Sequence, residues 1–223
     1  MWPESIETET KRESRLSAAR RGLGLLMIAA CIAIGSGCKP ASIGEQAAPD
    51  AGGGGYDVAS RGDCLPKTTL VDQDGNTFSL ASLKGKPVLM DFIYTSCPGP
   101  CLMLTAKLAN VALRLGPDLG GKVAMVSITI DPEHDNPQAL LKYSKEQGAQ
   151  EPGWTFLTGS PPEIDHVMNL LKLRREIEPD GSVAHVADMF LIGPNGHELK
   201  EYNGSIAKPQ DIAADLRKAA AAG

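Results

Sequence analysis

Apolar residues along this chain follow two rhythms, and the switches between them mark out its elements. Val88 to Tyr94 is a run of apolar, β-forming residues broken only by Asp91 and preceded by Gly85 and Pro87. Such a run predicts a strand covered on both faces. Lys122 to Ile130 is a second β-rich run. Between the two, Leu104, Leu108, Val111, Ala112 and Leu115 recur at helical spacing, and Gly116-Pro117 ends the helix. Strand, helix and strand in this order imply a parallel pair joined by a right-handed crossover.

The flanking segments extend this α/β pattern. Thr68 to Val71 and Thr77 to Leu80, on either side of a polar turn from Asp72 to Asn76, predict an N-terminal β-hairpin. Asn136-Pro137 opens a helix running to Gln147, and Trp154 to Gly159 reads as a strand and turn. Pro161 to Leu173 predicts a helix with Ile164, Val167, Met168 and Leu171 facing inward, and Arg174 to Val183 reads as a charged loop. Val186 to Ile192 and Glu198 to Tyr202, turning at Pro194-Asn195-Gly196, form a second hairpin. An amphipathic helix from Lys208-Pro209 through Ala219 follows.

The first 63 residues have a different character. Lys11, Arg12, Arg15, Arg20 and Arg21 precede an uncharged stretch from Gly22 to Gly37, which is shorter than the ~20 residues a bilayer span needs. Residues 1–37 therefore read as a secretory signal. Gly35-Ser36-Gly37-Cys38 suggests a lipoprotein signal with Cys38 lipidated; Ile28-Ala29-Ala30-Cys31 offers Cys31 instead, and an uncleaved anchor is the plainer alternative. Each of these puts residues 64–223 outside the cytoplasm, on the membrane's outer face. Residues 38–63, with Gly52 to Gly55, read as a flexible tether. A net charge of −5 and a pI near 5.4 exclude the basic footprint that nucleic-acid binding requires.

The candidate chemistry lies just past the first buried strand, at Cys97-Pro98-Gly99-Pro100-Cys101. With a helix starting near Pro98, both sulfurs face one way at its positive end, a setting that favours the thiolate. Thiolates there can bind a metal or exchange disulfides; two small buried side chains or a structural disulfide are the alternative. The spacing has one residue more than the Cys-x-x-Cys of thioredoxin-type exchange. Soft sulfur ligands suit Cu(I) or Zn(II), and no second cysteine pair completes a structural zinc site.

Three stretches carry a family resemblance: Tyr94 to Cys101, Ser127 to Pro137 (Ser-Ile-Thr-Ile-Asp-Pro-Glu-His-Asp-Asn-Pro), and Val183-Ala184-His185 followed by Phe190 to Gly196. Together they resemble the Sco/SenC family, thioredoxin-fold copper proteins that assist assembly of the CuA centre of cytochrome c oxidase. The resemblance implies a thioredoxin-like fold, a central mixed sheet flanked by helices, with the N-terminal hairpin added. It implies copper held by Cys97, Cys101 and His185, with cytochrome c oxidase subunit II as recipient and a thiol reductant as a further partner. A metallochaperone of this kind transfers its ion by ligand exchange and is not an enzyme in the strict sense. The alternative is a thiol-disulfide oxidoreductase in which Cys97 and Cys101 form a redox-active disulfide. The peroxidatic arrangement of peroxiredoxins is not evident. The family often has an acidic residue before the histidine, where this chain has Ala184.

Other polar residues read as structural. Asp131 follows the second buried run and either tunes the site or caps a turn. His134 and Asp135 belong to a turn before a helix, His166 lies on a polar helix side, and His197 sits solvated at a turn. Asp188 reads as an exposed strand end rather than an added group beside the site, and Cys64 as an incidental exposed thiol rather than an extra copper or disulfide partner.

Overall fold

The computed structural model describes residues 62–173 and 187–223, together with the backbone of Gly55–Tyr56, Glu176–Ile177 and Val183–Ala184. The expected signal segment, Cys31, Cys38, most of the tether, most of the charged loop and His185 lie outside the described residues.

In chain order, β1 (Gly55–Tyr56) precedes the hairpin of β2 (Thr69–Asp72) and β3 (Thr77–Ser79). Then come β4 (Val88–Ile93), α1 (Pro100–Leu115), β5 (Ala124–Thr129), α2 (Pro137–Glu146), β6 (Trp154–Thr158) and α3 (Pro161–Leu170). A small ribbon of β7 (Glu176–Ile177) and β8 (Val183–Ala184) leads to β9 (Asp188–Ile192), β10 (Glu198–Asn203) and α4 (Pro209–Ala222).

The main sheet runs β1-β10-β9-β4-β5-β6-β2-β3. Its centre, β4-β5-β6, is parallel, and every other pairing is antiparallel, which makes the mixed sheet expected. β4 and β5 are buried at every position, as continuous apolar runs require. The N-terminal hairpin extends the β6 edge through Val71 opposite Thr158. Its turn is tied by Asp72, whose carboxylate accepts from the N–H groups of Asp74 and Asn76 at 3.0 and 2.8 Å.

Helix packing closes the core. Leu104, Leu108, Val111 and Leu115 of α1 are buried, and α1 packs on α4 through residues such as Ile212 and Leu216. Thr105 of α1 shares a 2.8 Å hydrogen bond with the Tyr143 hydroxyl of α2, and the Tyr143 ring meets Phe156 of β6 edge to face. At the far end of the sheet, Gly153 has φ +93°, and a Cβ there would lie 2.3 Å from the Gly120 nitrogen, so only glycine fits. α3 ends at Leu170, short of the expected Leu173, because the chain turns at Leu171 and Lys172.

Candidate metal and thiol centre

β4 delivers the chain to the rim where its parallel partner β5 also ends, the edge at which open α/β sheets gather functional groups. Past Ile93 the backbone turns, and the Cys97 N–H donates to the Tyr94 carbonyl at 3.2 Å. The helix begins at Pro100, not near Pro98, because Gly99 takes the cap position with non-helical backbone and Pro100 sits at the first helical position. Only Cys101 is therefore helical, and Cys97 stands in the loop ahead of it. The two sulfurs meet because the loop folds back: the Cys101 N–H donates to Cys97 Sγ at 3.3 Å. That sulfur thereby satisfies one of the amide donors left over at a helix start.

Cys97 and Cys101 stand as a dithiol; Cys97 is 5% exposed and Cys101 not at all. The helix end was expected to favour the thiolate, but burial reverses this for Cys101. Desolvation, and then the hydrogen bond of its thiol to Cys97, push Cys101 well above the ordinary thiol range, and the Asp91 carboxylate adds to the shift.

Asp91, the one charge in the β4 run, is 1% exposed. Ser127 Oγ donates to its Oδ1 at 2.6 Å and accepts from Trp154 Nε1 at 2.9 Å, while Asp91 Oδ2 is buried with no partner among the described residues. Burial raises the carboxyl to about 7 against the Ser127 hydrogen bond.

The segment after β5 is built as a turn. The His134 ring takes the Asp131 carboxylate at 2.8 Å and is largely exposed, which raises its pKa, first by that hydrogen bond and then by Coulomb attraction. Of the two roles expected for Asp131, this contact is the turn role. Asp135 is different: it is 1% exposed and accepts from Thr95 N at 3.0 Å, Thr95 Oγ1 at 2.5 Å and Thr129 Oγ1 at 2.6 Å. Reading it as one more turn residue missed this. A signal was present, since Asn136 already caps α2 by accepting from Ala139 N at 2.9 Å, leaving Asp135 no capping role.

β9 runs antiparallel to β4, with Asp91 opposite Met189, so its first residues reach the rim that carries the cysteines. Ala187, two residues after His185, accepts from Gly204 N there at 2.7 Å. A groove of about 320 Å³ runs between Pro100, Met103, Leu104 and Lys107 of α1 and Ala187, Gly204 and Ser205 opposite. Among the described residues no three of His, Cys, Asp and Glu gather as a metal site, and His185 itself lies outside them.

Several expectations need correction. Cys64 is 1% exposed, because it packs in the core while its Sγ donates to Gly62 O and its N–H to Gly196 O. Gly193 and Gly196 form the β9-β10 turn, at the β4 end opposite the dithiol, so Cys64 lies about 20 Å of strand away from it. Asp188 opens β9 half-buried, and burial together with the Glu201 carboxylate lifts it to about 6. His197 is half-buried beside Asp63 rather than solvated, while His166 is exposed as expected.

The family profile described as SCO1/SenC matches residues 59–221. The chain belongs to the SCO1/SenC family. A "SCO1 protein homolog" of Bacillus subtilis is 35% identical over 155 residues, 68% of this chain and 80% of that one. BsSco, described as a member of the Sco family of cytochrome c oxidase assembly proteins with a disulfide switch, superposes with a TM-score of 0.62 at 33% identity. The match covers 75% of this chain and 95% of that one. Bradyrhizobium japonicum ScoI, solved with copper bound, gives a TM-score of 0.59 at 31% identity over 68% of this chain and 96% of that one. The thioredoxin-like α/β fold expected from the motifs is thus the fold of this SCO1/SenC domain.

Proposed function

We propose that this SCO1/SenC protein holds a copper ion between the sulfurs of Cys97 and Cys101 and the imidazole of His185, and passes it to the CuA centre of cytochrome c oxidase subunit II. The observation that carries the reading is the meeting of two soft donors at one point on the sheet rim, the Cys101 N–H resting on Cys97 Sγ at 3.3 Å. Ala187 stands on the same rim, and the two residues back to His185 span at most about 7 Å. That reach is compatible with a third ligand. The copper-bound relative supports the choice of ion.

Transfer is a ligand exchange: donors of the recipient replace the sulfurs and the imidazole one at a time, and the ion keeps its charge. The groove along α1, with Met103 77% exposed at its edge, offers a surface on which such a recipient could rest. The basic segment and uncharged stretch before Cys38 support a position at the outer face of the cytoplasmic membrane, with a tether through the N-terminus.

A second reading, thiol-disulfide exchange, is favoured by the paired thiols, of which Cys97, 5% exposed, is the more accessible to attack and Cys101, wholly buried, the one to resolve. The two part on His185. Titrating the reduced chain with Cu(I) is expected to give one ion per chain, and His185→Ala and Cys97→Ala each to abolish tight binding. Tight binding that survives His185→Ala refutes the ligand set. Dithiol exchange should persist in His185→Ala under either reading.

A further inference from the structure

The carboxylate of Asp135 takes no part in the ligand set, yet three hydrogen bonds converge on it in a buried place. Two of them come from Thr95, its N–H and its hydroxyl, gripping the residue that stands two positions before Cys97. The third comes from Thr129, the last residue of β5.

The location explains the grip. The β4-β5 ladder ends with Ile93 opposite Thr129 and the Ile130 N–H on the Ile93 carbonyl. Thr95 lies beyond it, where no strand continues, so the Asp135 side chain takes the place of the next rung. Asp135 is itself anchored: its N–H donates to the Asp131 carbonyl at 2.9 Å, and the Asp131 N–H donates to Thr129 Oγ1 at 2.9 Å. A continuous path of fixed groups therefore runs from the end of β5 through Asp135 to Thr95. From Thr95 the loop holding Cys97 against the Cys101 N–H departs.

We infer that Asp135 is a positioning residue for the Cys97–Cys101 pair: by clamping Thr95 to the end of β5 it sets where Cys97 Sγ stands relative to Cys101. A carboxylate suits this task because it accepts all three bonds without itself needing a donor. The same clamp orients the copper ligands, and that part rests on the copper reading above. Groups that orient metal ligands are typically worth about 10- to 100-fold in affinity.

The test compares variants on the two sides of the clamp, using the full chain in detergent. Thr95→Val removes the hydroxyl on the cysteine side, Thr95→Ser restores it, and Thr129→Val removes the hydroxyl on the sheet side. Asp135→Asn alters the clamp itself. The first readout needs no metal: equilibration with glutathione, in which the dithiol gives two electrons and two protons to one glutathione disulfide, forming the protein disulfide and two glutathione thiols. Thr95→Val and Asp135→Asn are expected to shift that equilibrium constant by about tenfold or more, with Thr95→Ser close to the parent. Thr129→Val removes the sheet-side anchor of the same clamp, so it should lower stability in urea and shift the constant in the same direction as Thr95→Val. The second readout is Cu(I) competition against bicinchoninate, expected to follow the same order. If Thr95→Val folds and shifts nothing, or if Thr95→Ser shifts the constant as far as Thr95→Val, the positioning role is wrong. Should Asp135→Asn not fold, the Thr95 pair decides. A parent chain that binds no copper overturns the copper reading alone, because the glutathione comparison stands without it.

Discussion

Asp91 supplies the sharpest quantitative test, since burial lifts its carboxyl from 3.8 to about 7. Its folded pKa is raised above the unfolded one, so its favourable contribution is complete below pH 3.8 and is lost as pH climbs through about 7. At about 1.4 kcal/mol per pKa unit, the group costs the fold about 2 kcal/mol at pH 5 and about 4 kcal/mol by pH 8. Asp91→Asn keeps the acceptor for the Ser127 hydroxyl but has no charge to bury. Its amide introduces a donor whose cost does not depend on pH. The stability of Asp91→Asn relative to the parent is therefore expected to rise by about 2–3 kcal/mol between pH 5 and pH 8. Urea unfolding of the reduced, metal-free proteins at the two pH values measures this. A relative stability that stays within about 0.5 kcal/mol across the range refutes the elevated carboxyl.

Three further outcomes follow from named contacts. Cys64→Ala is expected to cost roughly 1–3 kcal/mol in chemical unfolding, as truncation of a packed core side chain does, while the number of copper ions bound stays the same. Gly204→Ala would drive a Cβ to 2.0 Å from the Ala187 carbonyl oxygen, displacing the strand two residues past His185. Copper affinity should fall by on the order of tenfold in competition titration. For His134, whose proton is held by Asp131, an NMR titration should give a pKa above 6.5 that returns towards it in Asp131→Asn; His134→Ala should leave copper affinity unchanged.

The period of the apolar residues made most of the fold legible. Val88 to Tyr94 and Lys122 to Ile130 could be buried on both faces only as central strands, and Leu104 to Leu115 could only span between them. The dithiol was legible as a pair, but the way its sulfurs meet was not. Whether Cys97 sits on the helix or ahead of it depends on Gly99, which spacing alone does not distinguish from one more helical residue. The burial of Cys64 and the grip of Asp135 on Thr95 arise from contacts between distant segments, Cys64 with Gly196 and Asp135 with Thr95. Local pattern does not name the partners in such contacts, although the Asn136 cap, by leaving Asp135 no capping role, hints at one of them.

The state of Cys101 bears on the choice between copper transfer and disulfide exchange. A resolving thiol has to become a thiolate to attack, and Cys101 resists deprotonation because it is wholly buried and donates to Cys97. Asp91 strengthens that resistance wherever it is ionised, so raising the pH gives the thiol less relief than an exposed cysteine would receive. A metal ion meets the same obstacle differently. It brings its own positive charge into the dry pocket and displaces the proton as it binds, so the burial that slows nucleophilic attack need not prevent coordination. A dithiol buried in this way is therefore better suited to holding a soft cation than to rapid exchange. Copper loading should accordingly release protons and weaken as acid competes for the sulfurs.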